Sequence, residues 1–224
     1  MFNNSKYGTV LTVLLIVVIV GVVGILGFLG YDMYRKYYID RDSSQFVDNF
    51  ENEIDNGKNK EEQEEESSYV ENPYGDAELN VGSGSSSKRP TYKGFEISGT
   101  IRIPKINLQY PVITKVSKKA IDTAVAIQYG PTTLNQPGNT VIVGHNYRNG
   151  LFFSNNKKLN IGDKIYIKDL TGTELEYTIY NKYETTPEDT DYMVRDTAGK
   201  KEISLSTCTD DSKARLIIWA RCED

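Results

Sequence analysis

The sequence predicts a mainly β domain, built as a barrel or a sandwich and carried behind one apolar N-terminal helix. Two observations support this. From Gly94 onward, short apolar stretches alternate with turn residues, as expected of many short strands and few helices. Thr9 to Leu29 holds no charged residue and is rich in Val, Leu, Ile and Gly, long enough to cross a hydrocarbon core of roughly 30 Å. The 224 residues carry a formal net charge of −5, but an acidic segment after the apolar run accounts for it. The chain beyond Lys88 is slightly basic and too diffuse in charge for a nucleic-acid footprint. A Gly-rich phosphate loop and a G-x-S-x-G elbow are both missing from the sequence.

Taken in order, residues 1–8 form a short N-terminus and 9–30 a membrane span. A buried core helix would carry polar residues at helical spacing, and a cleaved leader would have a shorter apolar run. Here the run continues through Gly27-Phe28-Leu29-Gly30 into Tyr31, Tyr34, Tyr37 and Tyr38, an aromatic cluster suited to a membrane interface. Weighing Lys6 against Arg35, Lys36 and Arg41, charge bias alone would place the C-terminal side in the cytoplasm. Residues 31–90 read as an acidic flexible stalk, acidic from Asp40 to Glu78 and Gly/Ser-rich from Val81 to Lys88. Phe46, Val47, Phe50 and Ile54 recur at near-helical spacing, so a helix is expected to run past the span before order is lost.

The folded domain is expected over 91–224, roughly 130 residues, enough for one core without disulfides. Strands are expected at Phe95–Ile103, Leu108–Ile113, Thr140–Gly144, Asp163–Lys168, Glu174–Tyr180, Ile203–Cys208 and Ala214–Arg221. Leu170-Thr171-Gly172-Thr173 makes a hairpin turn, and Ser117–Ala126 and Phe152–Leu159 read as short helices. The sixteen tyrosines are best explained by packing. The two cysteines, Cys208 and Cys222, would lie several residues apart along the last hairpin, beyond the roughly 7 Å Cα separation of a disulfide, so both are expected as free thiols.

Cys208 ends one strand, Arg215 begins the next, and the chain's one histidine, His145, follows a third. Singly, a cysteine ending a strand is usually a small buried hydrophobe and a lone histidine a packing residue. Together they supply a thiolate nucleophile, a proton carrier and a fixed cation for an oxyanion. Arg221 is the rival cation, but it falls at the far end of its strand from Cys208. Zinc is disfavoured because no C-x-x-C pair and no fourth ligand occur.

Ile203-Ser204-Leu205-Ser206-Thr207-Cys208, with Arg215 on the next strand and Gly144-His145 upstream, resembles the sortases, cysteine transpeptidases of the Gram-positive cell surface. The resemblance extends to Ile101-Arg102-Ile103-Pro104, Tyr110-Pro111-Val112, Phe152-Phe153 with Leu159, and Gly162-Asp163-Lys164-Ile165, covering roughly Gly94 to Arg221. Ser204 departs from it, standing where threonine is commonest. The resemblance implies an eight-stranded β-barrel with short helices, held at the cell membrane by a single span with the catalytic domain outside and residues 1–8 in the cytoplasm; this outweighs the charge bias. It further implies cleavage of an LPxTG-like sorting signal through a thioester on Cys208, with His145 as proton carrier and Arg215 as oxyanion partner. Thr207 would contact the bound peptide. The partners implied are surface proteins bearing a C-terminal sorting signal and a peptidoglycan precursor or other amine acceptor, with no nucleic acid. No N-terminal lid and no second span after Arg221 are read, which favours wall anchoring over pilin polymerisation.

No cofactor is expected. Some sortases hold calcium between the loop before the Cys strand and the segment before the His strand. Glu184, Glu188, Asp189 and Asp191 populate the first, but Gln128 to Gly138 offers no carboxylate, so calcium is not favoured. The alternatives are a cysteine endopeptidase that releases surface proteins and a non-catalytic surface-binding domain. Peptidoglycan L,D-transpeptidases normally carry His and Gly shortly before the cysteine, unlike Leu205-Ser206-Thr207-Cys208.

Overall fold

The computed structural model describes residues 4–67 and 89–223, in two compact units, Met1–Arg41 and Asp42–Asp224. Helix α1 (Asn4–Ser67) begins in the first. There Val10, Leu14, Val17 and their neighbours are exposed on every side, and an 18-residue stretch reaches a mean hydropathy of 3.1, long and apolar enough to cross a membrane. Thr12, a polar residue in this run, donates its hydroxyl to the Gly8 carbonyl at 2.9 Å and so brings no unsatisfied group.

In the second unit α1 continues as an amphipathic stretch laid on the domain. Phe46, Phe50 and Ile54 pack against Tyr92, Ile97, Ile113, Ala120, Ala124 and Ala126, with the Phe46 and Tyr92 rings 4.7 Å apart. Val47 and Ser43 are fully buried. The acidic residues form a rim around this face. Asp42 accepts from Tyr92 Oη and Lys93 Nζ, each at 2.7 Å, Asp48 from Gln109, Glu51 from Thr100 and Asp55 from Lys168. Residues 42–55 are therefore no free spacer, which corrects the first part of the expected stalk and bears out the helical spacing of Phe46 to Ile54. The apolar face decides this. Burying one such side chain contributes about 1.5–3 kcal/mol, whereas an exposed ion pair contributes about 0–1 kcal/mol. The Gly/Ser-rich linker, 81–88, lies outside the described residues.

One member of the rim, Asp42, carries a pH dependence. Burial alone would raise the Asp42 carboxyl, but the hydrogen bonds from Lys93 and Tyr92 outweigh it and hold the group below its usual value. A carboxylate depressed on folding stabilises above its unfolded pKa, about 3.9, and loses that contribution as pH falls through the folded value. Acidification below about pH 4 is thus expected to reduce amide-exchange protection in residues 42–55. Protection unchanged between about pH 6 and pH 3 would show that Asp42 does not help hold the helix.

The domain is a closed barrel. Its strands are β1 (Thr91–Tyr92), β2 (Phe95–Ile103), β3 (Leu108–Ile113), β4 (Val125–Tyr129), β5 (Gly138–Val143), β6 (Lys164–Asp169), β7 (Glu174–Thr185), β8 (Lys201–Cys208) and β9 (Arg215–Arg221). The order β2-β3-β4-β5-β8-β9-β7-β6 closes through a β2–β6 pairing into eight strands, and the two-residue β1 flanks β2. Ile101, Ile103, Val112, Val141, Ile142, Ile165, Ile167, Leu205 and Ile218 are buried in the core. Gly99 sits at a bulge in β2 with φ +145°, where a Cβ would fall 2.1 Å from the Lys168 carbonyl oxygen, so only glycine lets β2 and β6 meet.

Of the two expected helices, the first is cut short and the second holds its place. Ser117 caps α2 (Lys118–Ile121) by accepting from the Ala120 amide at 3.1 Å, but the helix ends after one turn. The chain then enters β4, because Val125 and Ala126 pair with Val112 and Ile113 on one side and Ala126 with Val143 on the other. The segment after Phe152 is a 3₁₀ helix, Phe153–Lys158.

Candidate active site

Strand register assembles the site. In the antiparallel β8–β9 pair Cys208 lies directly opposite Arg215, and Arg215 Nη1 donates to Cys208 Sγ at 3.1 Å. In the parallel β5–β8 pair Val143 lies beside Ser206. Extending that register by two residues brings His145 level with Cys208. Gly144 makes the approach: its amide donates to the Ser206 carbonyl, and its carbonyl accepts from the Thr207 hydroxyl at 2.7 Å. A Cβ on Gly144 would meet the Phe153 ring and Val125 at 3.0 Å, tighter than an unshifted neighbour allows.

Cys208, His145 and Arg215 line one cavity of about 360 Å³, in the range of small-molecule and peptide sites. Val116, Ile121, Val143, Tyr192 and Met193 form its apolar walls. Thr207 also lines it, and its buried hydroxyl donates to the Gly144 carbonyl, tying the Cys strand to the His strand. Arg221 sits at the other end of β9, opposite Glu202, with Nε on Glu223 at 2.9 Å.

The structure adds residues that sequence reasoning missed. Asp122, at the end of α2, places Oδ1 3.1 Å from His145 Nε2 and accepts from the Tyr147 hydroxyl at 2.9 Å. Tyr147 also stands against the imidazole, ring centroids 4.8 Å apart. With Nε2 held by the carboxylate, Nδ1 is the nitrogen available for proton exchange. Asp122→Asn is expected to slow turnover about tenfold, the order of one charge-assisted hydrogen bond discounted for exposure, while Cys208 alkylation stays unchanged. Full turnover in this variant would remove Asp122 from the site.

Asn146 locks the other side. Its Nδ2 donates to the Cys208 carbonyl and to Asp210 Oδ1, both at 2.9 Å, and the His145 carbonyl accepts from the Phe153 amide at 3.0 Å. Asp210 pairs with Lys157 at 2.5 Å, and hydrogen bonds from Lys157 and Asn146 hold its carboxyl below the usual range. Asn146 and Tyr147 adjoin His145 in sequence and could have been suspected. Asp122 is distant in the chain and reaches the histidine only because α2 folds over it. No three carboxylate, thiol or imidazole groups converge on a metal position among the described residues. Asp189 is engaged locally, accepting from Thr185 and from the Asp191 amide.

Comparison with known proteins identifies the family of the fold. The Sortase domain family matches residues 101–223. Sortase A of Bacillus anthracis is 32% identical over 126 residues, 55% of this chain and 58% of that protein, so the chain spans less than two thirds of that relative. Among solved structures, a sortase D5 transpeptidase of Clostridium perfringens is 28% identical with a TM-score of 0.53, covering 58% of this chain and 80% of that one. A lid mutant of sortase A from Corynebacterium diphtheriae is 26% identical with a TM-score of 0.53, covering 62% and 73%. The family match takes in more than half of the sequence and every strand from β3 to β9, and this chain belongs to the sortase family.

Proposed function

We propose that the protein is a membrane-anchored cysteine transpeptidase that joins surface proteins carrying an LPxTG-like sorting signal to an amine acceptor of the cell wall. The observation that carries this reading is the cross-strand contact of Arg215 with Cys208 Sγ in a cavity that also holds His145. The Cys208 thiolate adds to the Thr carbonyl carbon of the signal, and the oxyanion that forms faces the Arg215 guanidinium. The C–N bond then breaks, the departing nitrogen takes a proton from His145, and a thioester remains on Sγ. An acceptor amine attacks that thioester and gives its proton to His145. The C–S bond breaks and Cys208 is restored as thiolate.

The apolar start of α1 supports anchoring by a single span, with residues 42–223 outside the cell. A protease added to intact cells should then remove the domain and spare the span; a protected domain would reverse the topology. The activity is tested with the full chain in detergent, an LPxTG-like peptide and a glycine-based amine, with products read by mass spectrometry. Ligated peptide is the expected product. Cleavage with water alone, even at high amine, would make the protein an endopeptidase, and no cleavage with any sorting-signal peptide would leave a binding domain.

A further inference from the structure

The loop between β7 and β8, residues 186–200, has no strand partners, yet Tyr192 and Met193 from it form a wall of the cavity beside Cys208. A loop of this length needs something to hold it, since ordering it costs conformational entropy. The structure supplies a buried polar cluster. Asn139 on β5 donates through Nδ2 to both the Tyr192 and the Met193 carbonyl, each at 3.0 Å. Its Oδ1 accepts from Ser204 Oγ at 2.9 Å and from Arg195 Nη2 at 3.1 Å, so the amide is saturated. Arg195 Nη1 pairs with the buried Glu202, which also accepts from the Tyr180 hydroxyl at 2.7 Å. The guanidinium lies over the Trp219 ring, 4.5 Å from its centroid. Ser204, the position that departs from the family pattern, is thus an internal member of the cluster.

We infer that Arg195 is a positioning residue for substrate selection: acting through Asn139, it holds the Tyr192–Met193 backbone as a preformed wall against the apolar part of an extended peptide. The inference rests on the transpeptidase reading for its substrate, not for its geometry. A planar guanidinium suits the task because it reaches Glu202 with one nitrogen and Asn139 with the other, which a lysine ammonium cannot do at once. The wall stands before peptide arrives, so binding does not have to order the loop.

The test uses the full chain in detergent with a fluorogenic sorting-signal peptide. In Arg195→Gln, KM is expected to rise about tenfold, the order set by losing a buried hydrogen bond, with kcat held within about twofold. Cys208 alkylation and the pH profile of kcat should not move, and the amides of residues 192–195 should exchange faster. Arg195→Lys should fall between wild type and Arg195→Gln. Asn139→Ser removes the grip on the two carbonyls but keeps the Arg195–Glu202 pair, so it must raise KM in the same way; it serves if Arg195→Gln does not fold. A fall in kcat at unchanged KM, or unchanged exchange in the loop, would overturn the inference. Should wild-type protein turn over no peptide, the transpeptidase reading fails, while loop exchange in Arg195→Gln still decides the clamp.

Discussion

Cys208→Ala is expected to abolish peptide turnover while leaving the barrel folded, and Cys222→Ala to leave turnover intact. Cys208 is partly exposed at the end of β8, with Arg215 on its sulfur and two cavities meeting at it. Cys222 is buried beyond the end of β9, its amide bonded to the Lys201 carbonyl at the opposite end of the same hairpin. Trimming the buried thiol should lower stability by about 1 kcal/mol, which thermal unfolding would register. The readouts are peptide cleavage and mass labelling by a thiol reagent. An active Cys208→Ala protein, or a dead Cys222→Ala protein of native stability, would move the nucleophile.

Arg215→Lys is expected to lower kcat by roughly 10²–10³-fold, the loss of one oxyanion donor, about 2.7–4 kcal/mol, while Arg221→Lys changes it little. Lysine keeps the charge but loses the planar fork, so the experiment separates geometry from charge. In the structure one guanidinium nitrogen already rests on Sγ, leaving the remaining donors for an oxygen formed on the carbonyl next to that sulfur. Steady-state kinetics on both variants, with Cys208 labelling as a folding control, checks it. Equal losses at Arg215 and Arg221 would undo the assignment, because Arg221 faces Glu202 and Glu223 at the far end of β9.

Much of the fold is legible in the residues alone. Alternating apolar patterning marks β2, β6 and β7, a continuous apolar run marks β5, and the turn from Thr209 to Ala214 places Cys208 against the start of β9. Strand β4 is absorbed into an expected helix because Ala124-Val125-Ala126-Ile127 satisfies either pattern; only pairing with β3 and β5 decides it. The acidic rim of α1 looks like solvated charge, since its partners Thr100, Gln109 and Lys168 are scattered over strands and reveal themselves only when the barrel closes. Asp122 and Arg195 escape notice for the same reason: each works across a long stretch of chain, on His145 and on Asn139, and neither carries a local signal.

The docked stretch of α1 also sets where an autonomous catalytic fragment can begin. A fragment cut at Arg89 would keep every strand and every residue around Cys208, yet it would uncover Tyr92, Ile97, Ile113, Ala124 and Ala126 where Phe46 and Phe50 now sit. An apolar furrow of that kind, opened to water, invites self-association or a foreign helix. It would also strip the support from behind Ala120 on α2, two residues from the carboxylate that holds the histidine. The smallest self-sufficient piece of this protein therefore starts near Asp42, upstream of the linker that its composition marks as the natural place to cut.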